Sequence, residues 1–216
     1  ILDACYDAAD LNNQYCALFE RYTGAGAGPN GEVTGQILNN SLRLVPLNYA
    51  KLAVSGIDVD VGYEHQIGNI GHLSLHGIYT HALTNNNYLD PTNPGRYDRS
   101  LGELGDPVDA FNINAALKTG PFTIGYEFRY IGKMVPGVWE DIHSVQGRPP
   151  QNADAYPINY YPAVTYHNLR AEAKVNDQYS MYVGIDNVLN RKPPYSLSGA
   201  GAGSGIYNNL GRFFYA

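Results

Sequence analysis

Seven aromatic residues, Tyr88, Tyr97, Trp139, Tyr156, Tyr160, Tyr161 and Tyr207, fall in segments rich in Asn, Pro and Gly. Such segments are surface loops, where a rigid ring with a polar edge suits ligand capture, so these seven are the candidate ligand-binding residues. The groups that could catalyse are weaker. Ser204 in Gly203-Ser204-Gly205 lacks the strand-turn-helix setting of a nucleophile elbow and reads as a linker residue. His72 and His76, with Glu64, are metal-ligand types, but strand spacing sets the two histidines roughly 13 Å apart, too far for one ion, so no metal site is expected. Asp58 and Asp60 are about 7 Å apart in a strand, with no apolar pocket to raise either pKa, and read as hydrated side chains. Glu127 with Arg129, and Arg170 with Glu172 and Lys174, read as charge ladders between neighbouring strands. No cofactor and no catalysed reaction are expected.

Cys5 and Cys16 are the only two cysteines, in a stretch rich in Asp and Asn. One small disulfide in an oxidising compartment fits this spacing; a closed zinc site would need two further ligands, and His is absent before residue 65.

The 216 residues carry 19 Tyr and 24 Gly but only two Met, with 16% charged residues and a net charge of −6. Tyrosine on this scale suits a membrane–water boundary or a sugar-binding surface. The basic residues are scattered, which excludes a nucleic-acid footprint. The longest apolar runs are a few residues, far short of the ~20 that a membrane helix needs, so any crossing must use strands. The first residues, Ile1-Leu2-Asp3-Ala4, are unlike a signal peptide, and the sequence is expected to be processed or part of something longer.

Alternation with a period of two supplies the positioning elements. Ile57, Val59, Val61 and Tyr63 oppose Asp58, Asp60 and Glu64; Phe122, Ile124, Tyr126, Phe128 and Tyr130 oppose Thr123, Glu127 and Arg129. Seven strands are predicted, at 56–67, 71–83, 108–118, 122–131, 165–175, 178–188 and 209–216. Short turns alternate with long polar loops at 84–106, 132–162 and 196–205, all expected to be exposed. That asymmetry implies an all-β fold: a partial antiparallel transmembrane β-barrel of about seven membrane strands plus long extracellular loops. Residues 1–55 are expected to form an extracellular loop region with the disulfide and a hairpin pairing 31–38 with 47–54, and residues 56–216 the C-terminal strands. An odd strand count points to a piece of a larger barrel. In that setting an aromatic girdle is an equal alternative to ligand capture for Tyr160, Tyr161 and Tyr195, which lie near strand ends.

Four stretches carry a resemblance. They are Asp3-Ala4-Cys5-Tyr6 through Cys16-Ala17-Leu18-Phe19, then Ser55-Gly56-Ile57-Asp58-Val59-Asp60, then Asp186 to Pro194 including Asn187-Val188-Leu189-Asn190-Arg191-Lys192-Pro193-Pro194, and last Gly211-Arg212-Phe213-Phe214-Tyr215. In order and spacing they resemble the C-terminal part of TonB-dependent outer-membrane receptors. The resemblance implies a 22-stranded barrel in the outer membrane of a Gram-negative bacterium, importing a scarce small molecule such as a siderophore, cobalamin or an oligosaccharide, driven by the TonB complex through an N-terminal plug. Expected partners are therefore outer-membrane lipid, the imported ligand and, through the plug, TonB. This chain covers roughly the final third of such a barrel and has no segment resembling the plug. It also departs at its end, where Ala216 follows the aromatic run Phe213-Phe214-Tyr215. The rival reading is a self-contained structural or adhesive β-protein assembling through strand edges.

Overall fold

The fold is that of a computed structural model, which describes residues 1–6, 10–44, 51–90, 93–195 and 205–216. The chain divides into two compact units, one of residues 1–52 and 87–97, the other of 53–86 and 98–216.

The first unit is held by local bonds. A short helix α1 (Leu2–Tyr6) is tied by the expected Cys5–Cys16 disulfide, with Cα atoms 4.9 Å apart, to a 3-10 turn at Cys16–Leu18. Cys5, Tyr15 and Phe19 are buried together. The expected partner of 31–38 differs. Tyr22 N–H donates to the Gln36 carbonyl (2.9 Å) and Leu38 N–H to the Glu20 carbonyl (2.8 Å), so the segment bonds back to 20–22. Of the expected partner strand, residues 47–50 lie outside the described residues, and 51–54 belong to β1.

The second unit is built on an antiparallel sheet. Eight strands are described: β1 (Lys51–Ile67), β2 (Gly71–Tyr88), β3 (Asp98–Arg99), β4 (Asp109–Thr119), β5 (Phe122–Ile131), β6 (Val164–Lys174), β7 (Ser180–Asp186) and β8 (Phe213–Tyr215). Seven run in the order β1-β2-β4-β5-β6-β7-β8, each beside its neighbour in sequence, with β3 added against β2. These seven correspond to the seven expected strands. The sheet is not closed; β1 and β8 are its edges among the described residues.

Register makes the two faces chemically distinct. One cross-strand row reads Leu73–Leu117–Ile124–Ala171–Val183, and the next Leu75–Ala115–Tyr126–Leu169–Ile185. The opposite face carries His76–Asn114–Glu127–Asn168 and Lys118–Thr123–Glu172–Tyr182. The apolar face is uncovered among the described residues: Ile124 is 52% exposed and Met181 69%. In a layered soluble domain that face would lie against a second layer.

At the long-loop end the character of the polar face changes. Ile131, Val164 and Tyr166 pack there with Met134 and Tyr207 from two loops, with Leu104 and Ile206 beside them. The loops were expected to be exposed throughout; instead Leu101, Met134, Val135, Val145 and Tyr161 are buried. The reason is reciprocal backbone bonding, Met134 with Tyr161 and Val135 N–H to the Gly102 carbonyl (2.7 Å), which lets irregular segments bury apolar side chains without orphaned amides. A short helix α2 (Trp139–Ile142) sits in the 132–163 loop. β2 runs on to Tyr88 through Asn85-Asn86-Asn87, five residues past its expected end. Asn is a poor strand former, and tertiary bonds hold it here: Ser100 N–H donates to the Asn85 carbonyl (2.9 Å) and Asn85 Nδ2 to Asp106 (3.2 Å).

Candidate functional site

The ends of β4, β5 and β6 and the loops beyond them enclose a cleft of about 520 Å³. Its floor includes Asp109 and Tyr130, which by register belong to the apolar face of the sheet, and Gly132 and Ala163 just past the strands. Its walls are Lys133, Trp139, Tyr160 and Tyr161. Three of the seven predicted aromatics are therefore brought together.

Trp139 is fixed by partners that sequence inspection missed. The Arg99 guanidinium stands 4.2 Å from its ring centre, and the His143 ring stacks on it at 3.9 Å and 13°. His143 Nε2 lies 2.8 Å from the Tyr160 hydroxyl, and the Lys133 ammonium 4.4 Å from the centre of the Tyr160 ring. Each cation–ring contact contributes about 0.5–2 kcal/mol, depending on solvent access. Gly102 has φ +96°, and a Cβ there would come within 2.5 Å of the indole, so any side chain would displace Trp139. One signal was available in the sequence: His143 follows Trp139 by four residues, the spacing of one helical turn. Arg99, Gly102 and Lys133 had none.

Behind the cleft the charges are acidic. The Trp139 N–H donates to Glu103 (2.7 Å), and the Arg99 N–H donates to the buried Glu140 (2.6 Å). Burial pushes the Glu103 carboxyl above its usual range; the Trp139 N–H opposes this, and the nearby charges of Glu140, Asp106 and Asp98 add to it.

The other candidates divide. Tyr88 and Tyr97 lie in the first unit, their rings 5.5 Å apart, with Lys51 4.9 Å from the Tyr88 ring. The Tyr156 hydroxyl donates to Asp141 (2.7 Å), a bond that raises its pKa, and accepts the Val138 N–H (3.3 Å), so Tyr156 braces α2. Tyr161 is 1% exposed and offers the cleft only an edge. Tyr207, 5% exposed, is a core residue whose hydroxyl burial pushes up to about 12. Its ring fills the apolar cluster at the strand ends, which gives it a packing role in place of capture. Tyr195 is exposed, and Ser204 lies outside the described residues.

The polar face forms a shallow trough of about 380 Å³ lined by His76, Glu127, Asn168, Arg170 and Asp186 among others. Each histidine meets its own carboxylate across the β1–β2 hairpin, His76 with Asp60 at 2.8 Å and His72 with Glu64 at 3.7 Å, while Asp58 accepts from the Thr80 hydroxyl (2.6 Å). The charge ladders differ from expectation. Glu127 accepts from Asn112 (2.6 Å) and Asn168 (2.8 Å), and Arg129 donates instead to the Ile206 carbonyl (3.0 Å). Arg170 does pair with Glu172 (3.2 Å), but within β6, and Lys174 turns to Asp177 (2.8 Å). Arginine and lysine reach for whatever acceptor geometry offers, and loop carbonyls are invisible to strand alternation.

Compared with protein-family models and with curated proteins, the chain matches none.

Proposed function

We propose that this chain is part of the barrel wall of a TonB-dependent outer-membrane receptor, which takes up a scarce small molecule such as a siderophore, cobalamin or an oligosaccharide. The observation that carries this reading is the uncovered apolar face, continuous over five strands and backed by a hydrated polar face. Water disfavours such a surface at roughly 25 cal/mol per Å², and lipid removes the cost. On β5 the apolar series from Phe122 to Tyr130 spans eight residue steps, about 26 Å along the strand and about 20 Å when tilted as barrel strands are. That is close to the ~25 Å apolar band of outer-membrane barrels. Short turns at one end of the strands and long, packed loops at the other add support, as does the cleft at the loop end. In this reading Trp139, Tyr160 and Lys133 face outward, plug and TonB contacts belong to other parts of the receptor, and the polar trough faces the lumen.

A second reading, a structural β-protein joining through strand edges, is favoured by β1, seventeen residues long with one edge unpaired among the described residues. Cell-envelope fractionation followed by intact-mass measurement separates the two. The receptor reading expects the sequence in the outer-membrane fraction, in a polypeptide several-fold heavier than 23.6 kDa. Recovery from the soluble fraction would overturn it, and a membrane species near 23.6 kDa would favour edge assembly.

A further inference from the structure

We propose that the cleft bounded by Lys133, Trp139 and Tyr160 holds the anionic phosphate headgroup of an acidic lipid in the outer leaflet. The inference rests on the preceding reading, in which the apolar face is covered by lipid, and adds a specific lipid site to it.

The position of the cleft carries the argument. Successive cross-strand rows of the apolar face climb β5 as Ile124, Tyr126, Phe128 and Tyr130, and Tyr130 is itself a cleft residue. The next row up contains Asp109, whose N–H···O partner across the strand end is Gly132: the Gly132 N–H donates to the Asp109 carbonyl (2.8 Å). The cleft therefore opens where the apolar face stops, on the same side of the sheet, at the level where acyl chains give way to headgroups. The aromatic side chains that top the apolar face, Phe128 and Tyr130, are joined at that line by Trp139, Tyr160 and the cation of Lys133. Tyr and Trp favour this level because one end of each ring is apolar and the other wet.

Charge selects the occupant. Lys133 is exposed, and its ammonium rests over the Tyr160 ring with no carboxylate partner among the described residues. The one carboxylate on the floor, Asp109, is already engaged, accepting the Tyr79 hydroxyl (2.7 Å) and lying 2.7 Å from His81 Nδ1. Gly132 and Ala163 leave the floor open, and Gly132 cannot be enlarged, since a Cβ there would stand 2.7 Å from the Asp109 carbonyl oxygen. An anionic headgroup with its chains running down over Tyr130 and Phe128 meets a cation above and apolar surface below.

Trp139 is the only tryptophan of the chain, so its emission reports this cleft alone. The protein would be reconstituted into phosphatidylcholine vesicles with and without phosphatidic acid, the quencher being bromine carried high on the acyl chain of one lipid at a time. Brominated phosphatidic acid is expected to quench Trp139 about five-fold more strongly, per mole, than brominated phosphatidylcholine, and K133A to lose that preference while still inserting. Equal quenching by both lipids would overturn the headgroup site and leave the membrane reading intact. No quenching by either would overturn the membrane reading and this inference with it. Inorganic phosphate abolishing the preference at millimolar concentration would assign the cleft to free phosphate and overturn the lipid source. K133R, which keeps the charge, is expected to retain the preference, so its loss in both variants would mark a merely structural lysine.

Discussion

Individual carboxylates respond to their surroundings in opposite directions. Glu32 accepts three N–H bonds, from the Asn30 backbone (2.8 Å), the Asn30 side chain (2.9 Å) and the Asn39 backbone (3.2 Å), and these lower its pKa from 4.5 to about 2. A depressed carboxylate stabilises the fold above its unfolded value and loses that contribution as pH falls through the folded one. Amide protection at Asn30 and Asn39 is therefore expected to decline between pH 4.5 and about 2, and E32Q to flatten that decline. Glu103 has the reverse sign, since its raised pKa makes its contribution largest in mild acid and loses it as pH rises through the folded value. E103Q keeps an acceptor for the Trp139 N–H and removes the repulsion, so the protection of amides around α2, corrected for intrinsic exchange, should lose the pH dependence that Glu103 supplies. E103A leaves that N–H unpaired and is expected to cost about 1–3 kcal/mol. At this scale the sequence was a poor guide. Trp139 and Tyr160 were recognisable as loop aromatics, but Tyr207 in its Gly-rich, polar setting carried no mark of the buried cluster it enters.

Secondary elements were more legible, because a strand with one apolar face writes its period directly into the sequence. β5 was expected at 122–131 and occurs at Phe122–Ile131. Strand ends moved where side chains bond the backbone. β7 was expected to reach 188 but stops at Asp186, because Asn187 takes φ +52°, a left-handed turn that ends pairing. Asn187 is fully buried, receives the Arg191 N–H on its side-chain oxygen (2.7 Å), donates Nδ2 to the Arg191 carbonyl (2.9 Å), and gives its own N–H to Asn168 (2.7 Å). The Asn-Val-Leu-Asn stretch noted in the sequence is thus a side-chain-closed turn. Replacing Asn187 with Ala removes two of these bonds and puts a Cβ without compensating polar atoms at positive φ, at an expected cost of about 3 kcal/mol. Thermal or chemical denaturation of N187A against N187G separates the two contributions, because glycine relieves only the backbone.

For the molecule as a whole the question is which solvent each face of the sheet meets. Ile124 and Thr123 are adjacent on β5 and point to opposite faces. If lipid covers the apolar face, I124K should cost about 2–4 kcal/mol in bilayer-reconstituted protein, and T123K, beside Glu172, close to nothing. Equal effects of the two would argue that both faces meet water. Reduction of the Cys5–Cys16 bond, which closes a short loop, is expected to cost about 3 kcal/mol, read as loss of amide protection within residues 10–44.

The strand order has a kinetic consequence. Each strand between the edges β1 and β8 pairs with the long strands before and after it in the chain, so the sheet can grow by adding one hairpin at a time, with small loop-closure entropy at each step. The Arg129–Ile206 bond spans 77 residues, and Tyr207 seats against β5 and β6 only after both are in place. These contacts form late in any sequential assembly, and residues 205–212 are accordingly expected to be the slowest of the described residues to acquire protection from exchange.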